Sequence, residues 1–361
     1  MVRTTAAEAG ESGVRLHDPA IRTFASDNYA GVHPEVLLAL ADANGGHQIS
    51  YGEDAYTARL NEVVRETFGE RSETFPVFNG TGANVVGLTA MMPRWGAVIS
   101  TATAHIHTDE AGAPERVSGL KLLPIATPNG KLTPELIATE AWGWGDEHRA
   151  QPLVVSITQS TELGTVYTVE EVRAIADYAH GHGMALHMDG ARIWNAAASL
   201  GVPLRAFTSD AGVDVLSFGG TKNGLLGAEA VIVLDPDRAD GILYLRKLSM
   251  QLASKLRFIS AQLLTLFEDD LGLRSAAHAN AMAQRLRSSL EGTPRLSFSQ
   301  ATDANGVFAV LDNAVTDRIR ERFRFYDWDR AAGQVRWMCS FDTTEDDIDG
   351  FVAAIKEELA R

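Results

Sequence analysis

The chain has 361 residues, 45% of them hydrophobic, which is enough for one large domain with its own core and a second, smaller one. Its formal net charge of -15 produces a surface field that repels nucleic acid and anionic lipid, so neither is expected as a partner. A single cysteine, Cys339, excludes an internal disulfide and a cysteine-based zinc site, and it predicts a cytoplasmic protein.

Residues 1–21 are predicted to form a polar N-terminal arm. The opening stretch MVRTTAAEAGESGVRLHD has no apolar core of the kind that a signal peptide needs. No later segment approaches the roughly 18 consecutive apolar residues of a membrane-spanning helix, so no membrane contact is expected. The large domain is predicted over residues 22–245 and the small domain over residues 246–361.

The stretch FPVFNGTGANVVGLTAMM at 75–92 predicts a strand, a tight turn and an apolar helix. Gly80, Thr81 and Gly82 form the turn. Backbone N–H groups at such a helix start, together with a threonine hydroxyl, favour a bound phosphate. A Gly-Thr-Gly turn is a weak signal by itself, and an ordinary strand-to-helix turn remains the alternative.

The next polar stretch, STATAHIHTDEAGAPE at 100–115, contains two histidines close to an aspartate. If it begins as a strand, His105, His107 and Asp109 share one face. These groups are adequate zinc ligands, but no third histidine and no HExxH spacing accompanies them, so we predict no metal site. His105 then has two interpretations: its ring stacks on a flat cofactor, or it is a hydrogen-bonded residue of structural importance only.

From residue 153 onward, apolar runs alternate with helical patterns. Thr168 and Glu171 have capping-box spacing, and the helix that they begin is predicted to end at Gly181 or Gly183. The predicted strands are LVVSITQ (153–159), MALHMD (184–189), DVLSF (214–218) and AVIVLD (230–235). This alternation predicts a parallel sheet covered by helices, with ligands bound beyond the carboxyl ends of its strands.

Two residues at predicted strand ends point to a cofactor. Lys222 lies in the glycine-rich turn of LSFGGTKNG, where a restricted amine suits a Schiff base with a carbonyl compound. Asp189 closes the strand MALHMD, where its carboxylate suits the nitrogen of a pyridine ring. Taken singly, a solvated lysine and a turn-forming aspartate are the ordinary alternatives. Together the two residues predict pyridoxal phosphate.

Several blocks also occur in the order seen in low-specificity L-threonine aldolases, and the chain resembles most the phenylserine aldolase-like branch of that family. The blocks are YGED (51–54), NGTGAN (79–84), AHIHTDEAGAPE (104–115), SITQSTELGTVYT (156–168), HMDGARIWNA (187–196), LSFGGTKNG (216–224) and VRWMCSF (335–341).

The resemblance implies an α/β, fold-type-I (aminotransferase-like) enzyme, with a large, mostly parallel seven-stranded sheet domain and a smaller C-terminal α+β domain. It also implies a homotetramer, built as a dimer of dimers, with active sites at the subunit interfaces. The implied reaction is reversible cleavage of L-3-hydroxy amino acids, such as threonine, allo-threonine and phenylserine, to glycine and an aldehyde.

The resemblance assigns a role to each matching site residue. The cofactor set comprises the Schiff-base Lys222, Asp189 at the pyridine nitrogen, His105 stacked on the ring, Arg192 at the cofactor and substrate carboxylate, and Gly80, Thr81 and Gly82 at the phosphate. Ser26 and Arg336 match residues that bind the substrate carboxylate, and Tyr51 matches a tyrosine that faces the neighbouring subunit's site.

One block departs from the family pattern. Many threonine aldolases carry a histidine for the substrate hydroxyl where this chain has Thr158-Gln-Ser-Thr161. His105 or Asp109 is then the expected base. Asp109 is favoured somewhat, and we expect it to be buried or raised in pKa by Glu110 if it takes the proton itself.

Other functions stay open at this point. β-Elimination or transamination is possible, because one fold hosts many reactions of the same cofactor. A ligand-binding protein without turnover is the alternative from a different class. The joint presence of Lys222, Asp189 and Arg336 argues against it.

Overall fold

A computed structural model describes residues 16–361, and the remainder of the predicted arm, residues 1–15, lies outside the described residues. Over 16–361, no helix combines the length and the apolar composition required to cross a membrane.

The larger sheet has seven strands in the order β1-β7-β6-β5-β4-β2-β3. The strands are β1 (Glu73–Val77), β2 (Gly96–Thr101), β3 (Lys121–Ile125), β4 (Gln151–Thr158), β5 (Ala185–Gly190), β6 (Val215–Gly219) and β7 (Glu229–Val233). β7 is antiparallel to both of its neighbours, whereas the other strands point the same way. The predicted mostly parallel sheet is confirmed.

The helices precede, connect and follow these strands. They are α1 (Pro34–Ala43), α2 (Ala55–Phe68), α3 (Gly80–Ala90), α4 (His105–Thr108), α5 (Pro134–Ala138), α6 (Val169–Gly181), α7 (Ile193–Leu200), α8 (Ile242–Leu248), α9 (Arg257–Phe267), α10 (Leu271–Leu290), α11 (Asn313–Arg320) and α12 (Glu345–Ala360). Short 3-10 turns lie at Asp27–Tyr29, Leu204–Phe207, Ser209–Ala211, Thr221–Asn223, Pro236–Arg238 and Glu268–Asp270, and a π-helical turn lies at Pro114–Ser118.

The sheet is covered on both faces because its side chains alternate between two cores. On β6, Val215 packs with Val86 of α3, while the next residue, Leu216, packs in a core that contains Trp194 of α7. Strand residues therefore face opposite sides in steps of two. This burial on both faces explains why the strands are near-continuous apolar runs.

Local signals in the sequence match the observed boundaries. The four strands predicted between residues 153 and 235 are found within two residues of their expected limits. The Thr168 side chain accepts a hydrogen bond from the Glu171 N–H at 3.2 Å, and Glu171 accepts one from the Thr168 N–H at 2.7 Å, so the predicted capping box is confirmed. β7 is antiparallel to β6 because the short segment between them leaves no room for a crossover helix.

A second, antiparallel sheet has the order β10-β11-β9-β8. Its strands are β8 (Ser297–Phe298), β9 (Gly306–Val310), β10 (Tyr326–Asp329) and β11 (Gln334–Met338). Residues of α10, α11 and α12 pack on it. Phe24 joins this core from the other end of the chain, with its ring stacked on Phe351 at a centroid distance of 4.1 Å.

The predicted division into an arm, residues 22–245 and residues 246–361 stays a prediction. Ile259 and Leu263 of α9 pack in the core of the large sheet, although they follow residue 245. Phe24, which precedes residue 245, packs with the small sheet.

Candidate active site

The carboxyl ends of β1, β2, β4, β5 and β6 meet at one edge of the large sheet. The segments that follow them surround a cavity of about 380 Å³. Its wall includes the predicted site residues Gly80, Thr81, His105, Asp189, Arg192 and Lys222. The topology thus brings together side chains that lie far apart in the sequence, as expected for ligand sites in open α/β sheets.

The turn between β1 and α3 forms one end of the cavity. Asn79 caps the helix by accepting a hydrogen bond from the Gly82 N–H at 2.7 Å. Gly80 and Thr81 line the cavity, whereas Gly82 does not. A Cβ at Gly82 would lie 2.2 Å from the end of the Gln251 side chain, so a larger residue there would displace the amide that accepts a hydrogen bond from the Phe78 N–H. The N–H groups of Gly80 and Thr81 at the start of α3 suit an anion.

The lysine turn follows β6 and is held by a carboxylate from β7. Glu229 accepts hydrogen bonds from the N–H groups of Gly220 at 2.9 Å and Thr221 at 3.3 Å. A Cβ on Gly219 would lie 2.6 Å from the backbone of Ala191, so the glycine lets two loops pack directly together. The glycines around the lysine therefore serve backbone packing.

Lys222 lies on the cavity wall, next to Arg192 and several carboxylates. Burial lowers the pKa of its amine, the positive charge of Arg192 lowers it further, and Asp27, Asp189 and Glu229 oppose the shift. A lowered pKa increases the fraction of neutral amine, which is the nucleophilic form.

A hydrogen-bonded network joins the other predicted cofactor residues. Asn84 donates to Asp189 Oδ2 at 2.9 Å and to Glu110 Oε1 at 2.8 Å. His105 Nδ1 lies 2.9 Å from the same Glu110 oxygen. The hydrogen bond with Glu110 raises the pKa of His105, although burial opposes the shift. Asn84 and Glu110 thus hold His105 and Asp189 in fixed positions around the cavity.

A second histidine, His187, lies two residues before Asp189 on the same face of β5. Its ring nitrogens lie 2.9 Å from Ser156 Oγ and 3.0 Å from Ser217 Oγ. Burial lowers its pKa to about 4, so it is neutral near pH 7. The three side chains link β4, β5 and β6 below the site.

The extended conformation that we considered for the stretch around His105 is not found. β2 ends at Thr101, and His105–Thr108 forms the short helix α4. His107 and Asp109 are exposed, and only His105 of the three reaches the cavity. Of the two conditions stated for Asp109 as the base, burial is not met in the described chain. Within residues 16–361, no group of three or more His, Cys, Asp or Glu residues is arranged to hold a metal ion.

Arg192 is held by a buried carboxylate near the start of the described chain. Its Nε and Nη2 donate to Asp27 at 2.6 and 3.0 Å, and Asn305 adds a third hydrogen bond to Asp27 at 3.1 Å. Burial opposes ionisation of Asp27, but the charge of Arg192 holds the pKa of that carboxyl below its usual value. This bidentate pair fixes the plane of the guanidinium.

Arg336 borders a narrow cavity next to the main one, and Arg192 and Glu162 line both. Its Nε is buried and, within the described chain, has no hydrogen-bond partner. Burial lowers the pKa of Arg336, and the like charge of Arg192 adds to this effect. Two guanidinium groups near each other, one with an unpaired donor, form a site suited to an anion such as a carboxylate.

Two predicted substrate residues lie away from the main cavity. Ser26 caps the turn Asp27–Tyr29 by accepting from the Asn28 N–H at 3.2 Å, and it lines a different cavity, beside Arg22. Tyr51 is 49% exposed, with the Lys247 amine 5.1 Å from its ring. Neither residue lines the cavity that contains Lys222.

Several polar residues of the site were missed by the sequence reasoning: Asp27, Asn84, Glu110, Glu162 and Glu229. Glu162 carried a usable signal, because it is the only charged residue between Leu153 and Val169 and lies four residues after the end of β4. Asp27 is adjacent to the predicted Ser26. Asn84 belongs to the quoted NGTGAN block, but its spacing does not reveal its partners.

The family of the chain follows from comparison with known proteins. The Beta-eliminating lyase family matches residues 23–314. The chain belongs to this family. It is 45% identical over 322 residues to the low-specificity L-threonine aldolase of Pseudomonas aeruginosa, covering 89% of this chain and 93% of that protein. It is 43% identical over 339 residues to the enzyme of the same name from a Pseudomonas species, covering 93% and 98% of the two chains.

A solved structure agrees with these relatives. The threonine aldolase of Leishmania major superposes with a TM-score of 0.87 at 28% identity, and the match covers 93% of this chain and 99% of that one. The predicted resemblance to low-specificity L-threonine aldolases and the predicted fold-type-I architecture are both confirmed.

Proposed function

We propose that the chain is a pyridoxal phosphate-dependent aldolase that reversibly cleaves L-3-hydroxy-α-amino acids to glycine and an aldehyde. Its substrates are threonine, allo-threonine and phenylserine, as in the phenylserine aldolase-like branch. The observation that carries the proposal is that Lys222 and Asp189 line one cavity, in a chain 45% identical to a low-specificity L-threonine aldolase.

The donor set of the cavity fits this cofactor. Gly80 and Thr81 place helix N-terminal N–H groups on the wall for the phosphate. Asp189 places a carboxylate, oriented by Asn84, for the pyridine nitrogen. Lys222 supplies the amine that holds the carbonyl carbon. Gly82 does not line the cavity, and we infer that its role is to let the Gln251 side chain pack against the phosphate turn.

Bound pyridoxal phosphate supplies an electron sink for the bond broken at the substrate α-carbon. The residues of the chain supply orientation. Arg336, with its unpaired Nε, and Arg192 bind the substrate carboxylate, and Asp27 keeps the Arg192 guanidinium in place. Ser26 reaches the carboxylate only if its side chain leaves its present cap. The ring of His105, anchored by Glu110, would then cover one face of the cofactor.

The function is tested by incubating the purified holoenzyme with threonine, allo-threonine and phenylserine. Glycine and the matching aldehyde are the expected products. Pyruvate or another 2-oxo acid with ammonia would instead indicate β-elimination, and formation of an amino acid from an added 2-oxo acid would indicate transamination. Either result without glycine would contradict the proposal.

Replacement of Arg336 by alanine is expected to raise the KM about 10- to 100-fold for every 3-hydroxy amino acid, because all of them share the carboxylate. Steady-state kinetics with threonine and phenylserine measure the effect. Arg330→Ala is the matched control, since Arg330 is exposed and pairs with Asp317 and Asp327 on the surface. A KM increase confined to phenylserine would place Arg336 in the side-chain pocket instead.

We also propose that the chain forms a homotetramer in the cytoplasm, as a dimer of dimers, with Tyr51 facing the neighbouring subunit's site. Large apolar side chains are exposed on α8 and the residues that follow it, next to the Lys247 that contacts Tyr51, and they include Tyr244, Leu248 and Met250; Phe78 is exposed as well. Phe78 is held beside these residues by a hydrogen bond from its N–H to Gln251, and Tyr51 by the contact of its ring with the Lys247 amine. Such a patch favours contact with another protein surface. Analytical ultracentrifugation of the holoenzyme tests the assembly.

A further inference from the structure

Glu162 is a partly buried acid, with one fully buried carboxylate oxygen, to which the sequence analysis assigned no role. It lies just beyond β4, and its Oε1 accepts hydrogen bonds from the His105 N–H at 2.9 Å and from Thr158 Oγ1 at 2.8 Å. The second oxygen, Oε2, is buried and finds no hydrogen-bond partner in the described part of the chain. A buried carboxylate oxygen without a partner is unfavourable unless a ligand satisfies it.

Glu162 lies between the two cavities of the site. The main cavity holds Lys222, the narrow cavity holds Arg336, and Glu162 and Arg192 line both of them. An amino acid with its carboxylate at the arginines and its amine towards Lys222 would pass beside Glu162. Its β-carbon substituents then lie next to the carboxyl group.

The alternative bases are less favourably placed. Asp109 is exposed, and the ring of His105, anchored through Nδ1 by Glu110, is already assigned to one face of the cofactor. Glu162 directly follows Thr158-Gln-Ser-Thr161, the segment in which many threonine aldolases were expected to carry a hydroxyl-contacting histidine. Its carboxylate therefore lies close to where those enzymes carry the histidine side chain that this chain lacks.

We propose that Glu162 accepts the proton of the substrate 3-hydroxyl during carbon–carbon cleavage, an inference that rests on the proposed aldolase function. The hydroxyl O–H bond breaks as Oε2 takes the proton, and the oxygen forms the aldehyde C=O bond. The Cα–Cβ bond breaks, and its electron pair stays with the fragment that becomes glycine. Glu162 releases its proton to water, and the α-carbon takes one from water, so that protons and electrons balance.

The charges around Glu162 support this role. Burial raises the pKa of Glu162, and the negative charge of Asp189 raises it further. The other titratable groups near it are His105, Tyr167, Arg192 and Arg336. A carboxylate with a raised pKa is a stronger base when it is ionised, which suits proton abstraction from an alcohol.

Glu162→Gln is the decisive variant, because the amide keeps the size and the Oε1 acceptor. We expect kcat for threonine and phenylserine to fall roughly 10²- to 10⁴-fold, the usual contribution of a general base. Exchange of the glycine α-proton in deuterated water, measured by NMR, should stay within about twofold, because glycine has no hydroxyl. The visible absorbance of the cofactor should be unchanged.

Folding stability gives a readout that is independent of turnover. A pKa above the usual 4.5 means that the unfolded chain loses the Glu162 proton at lower pH than the folded chain. Glu162 therefore stabilises the folded chain at low pH. This contribution is lost as the pH rises from 4.5 through the pKa that Glu162 has in the folded chain. In urea unfolding of the apoprotein, Glu162→Gln should gain stability relative to wild type over that interval.

Matched variants separate the possible outcomes. Glu170→Gln, an exposed change on α6, should leave both cleavage and α-proton exchange as in wild type. Normal cleavage by Glu162→Gln, or loss of its cofactor absorbance, would overturn the inference while leaving the aldolase function intact. A large kcat loss in Asp109→Asn or His105→Phe, with none in Glu162→Gln, would assign the base to that residue. Failure of the wild-type holoenzyme to form glycine would instead overturn the proposed function.

Discussion

Lys222→Ala is expected to abolish the covalent link to the cofactor and to reduce aldolase activity by roughly 10³-fold or more, because no other amine takes its place. Absorbance spectroscopy and mass spectrometry after borohydride reduction measure the link. The fold should survive, since Glu229 holds the turn through the backbone of Gly220 and Thr221.

The same variant should be at least as stable as the wild-type apoprotein. Burial lowers the pKa of Lys222 below its usual 10.5, so at neutral pH the charged amine is less favourable in the folded than in the unfolded chain. The advantage of Lys222→Ala should be largest near neutral pH and vanish as pH approaches 10.5. Lys356→Ala, on the exposed face of α12, is the control that keeps the covalent link. A borohydride-stable adduct on another lysine of Lys222→Ala would disprove the assignment.

Asp189→Asn is expected to keep bound cofactor yet lose roughly 10²- to 10³-fold in kcat, because a neutral amide cannot hold a proton on the pyridine nitrogen by charge. The amide oxygen can still accept from Asn84, whereas the hydrogen bond from the Ala191 N–H at 3.0 Å is lost, and the fold should persist. Cofactor content by absorbance and kcat with threonine are the measurements. Asp177→Asn, an exposed change on α6, is the matched control. Activity near that of wild type would reduce Asp189 to a structural residue.

The backbone of the site was predictable because strand ends are visible in the sequence. Apolar runs identified β4, β5 and β6, and parallel strands place their carboxyl ends at one edge. Asp189 and Lys222 could therefore be brought to one site before any coordinates were known. The turn at Gly80, which we propose for the phosphate, was predicted in the same way, since a strand precedes it and an apolar helix follows.

The acids of the site were not predictable, because their roles depend on partners distant in the sequence. Glu110 has a role in the site because His105 and Asn84 hydrogen-bond to it. Asn84 and Glu110 lie 26 positions apart in the sequence. The extended conformation considered around His105 is not observed, because β2 ends at Thr101 and α4 begins at His105. Periodicity shows which face a residue takes once the element is known, but it did not identify so short a helix.

The pairing of Asp27 with Arg192 and Asn305 affects how the protein is made. Asp27 and Asn305 are 278 positions apart, and Phe24 stacks on Phe351 close to the last residue of the chain. During synthesis, residues 24–27 leave the ribosome long before Asn305 and Phe351. The contacts of Asp27 and Phe24 with these two residues therefore cannot form until the segments that carry β9 and α12 have been made. The support of Arg192 by Asp27 and Asn305 is thus completed late, after all strands of the large sheet.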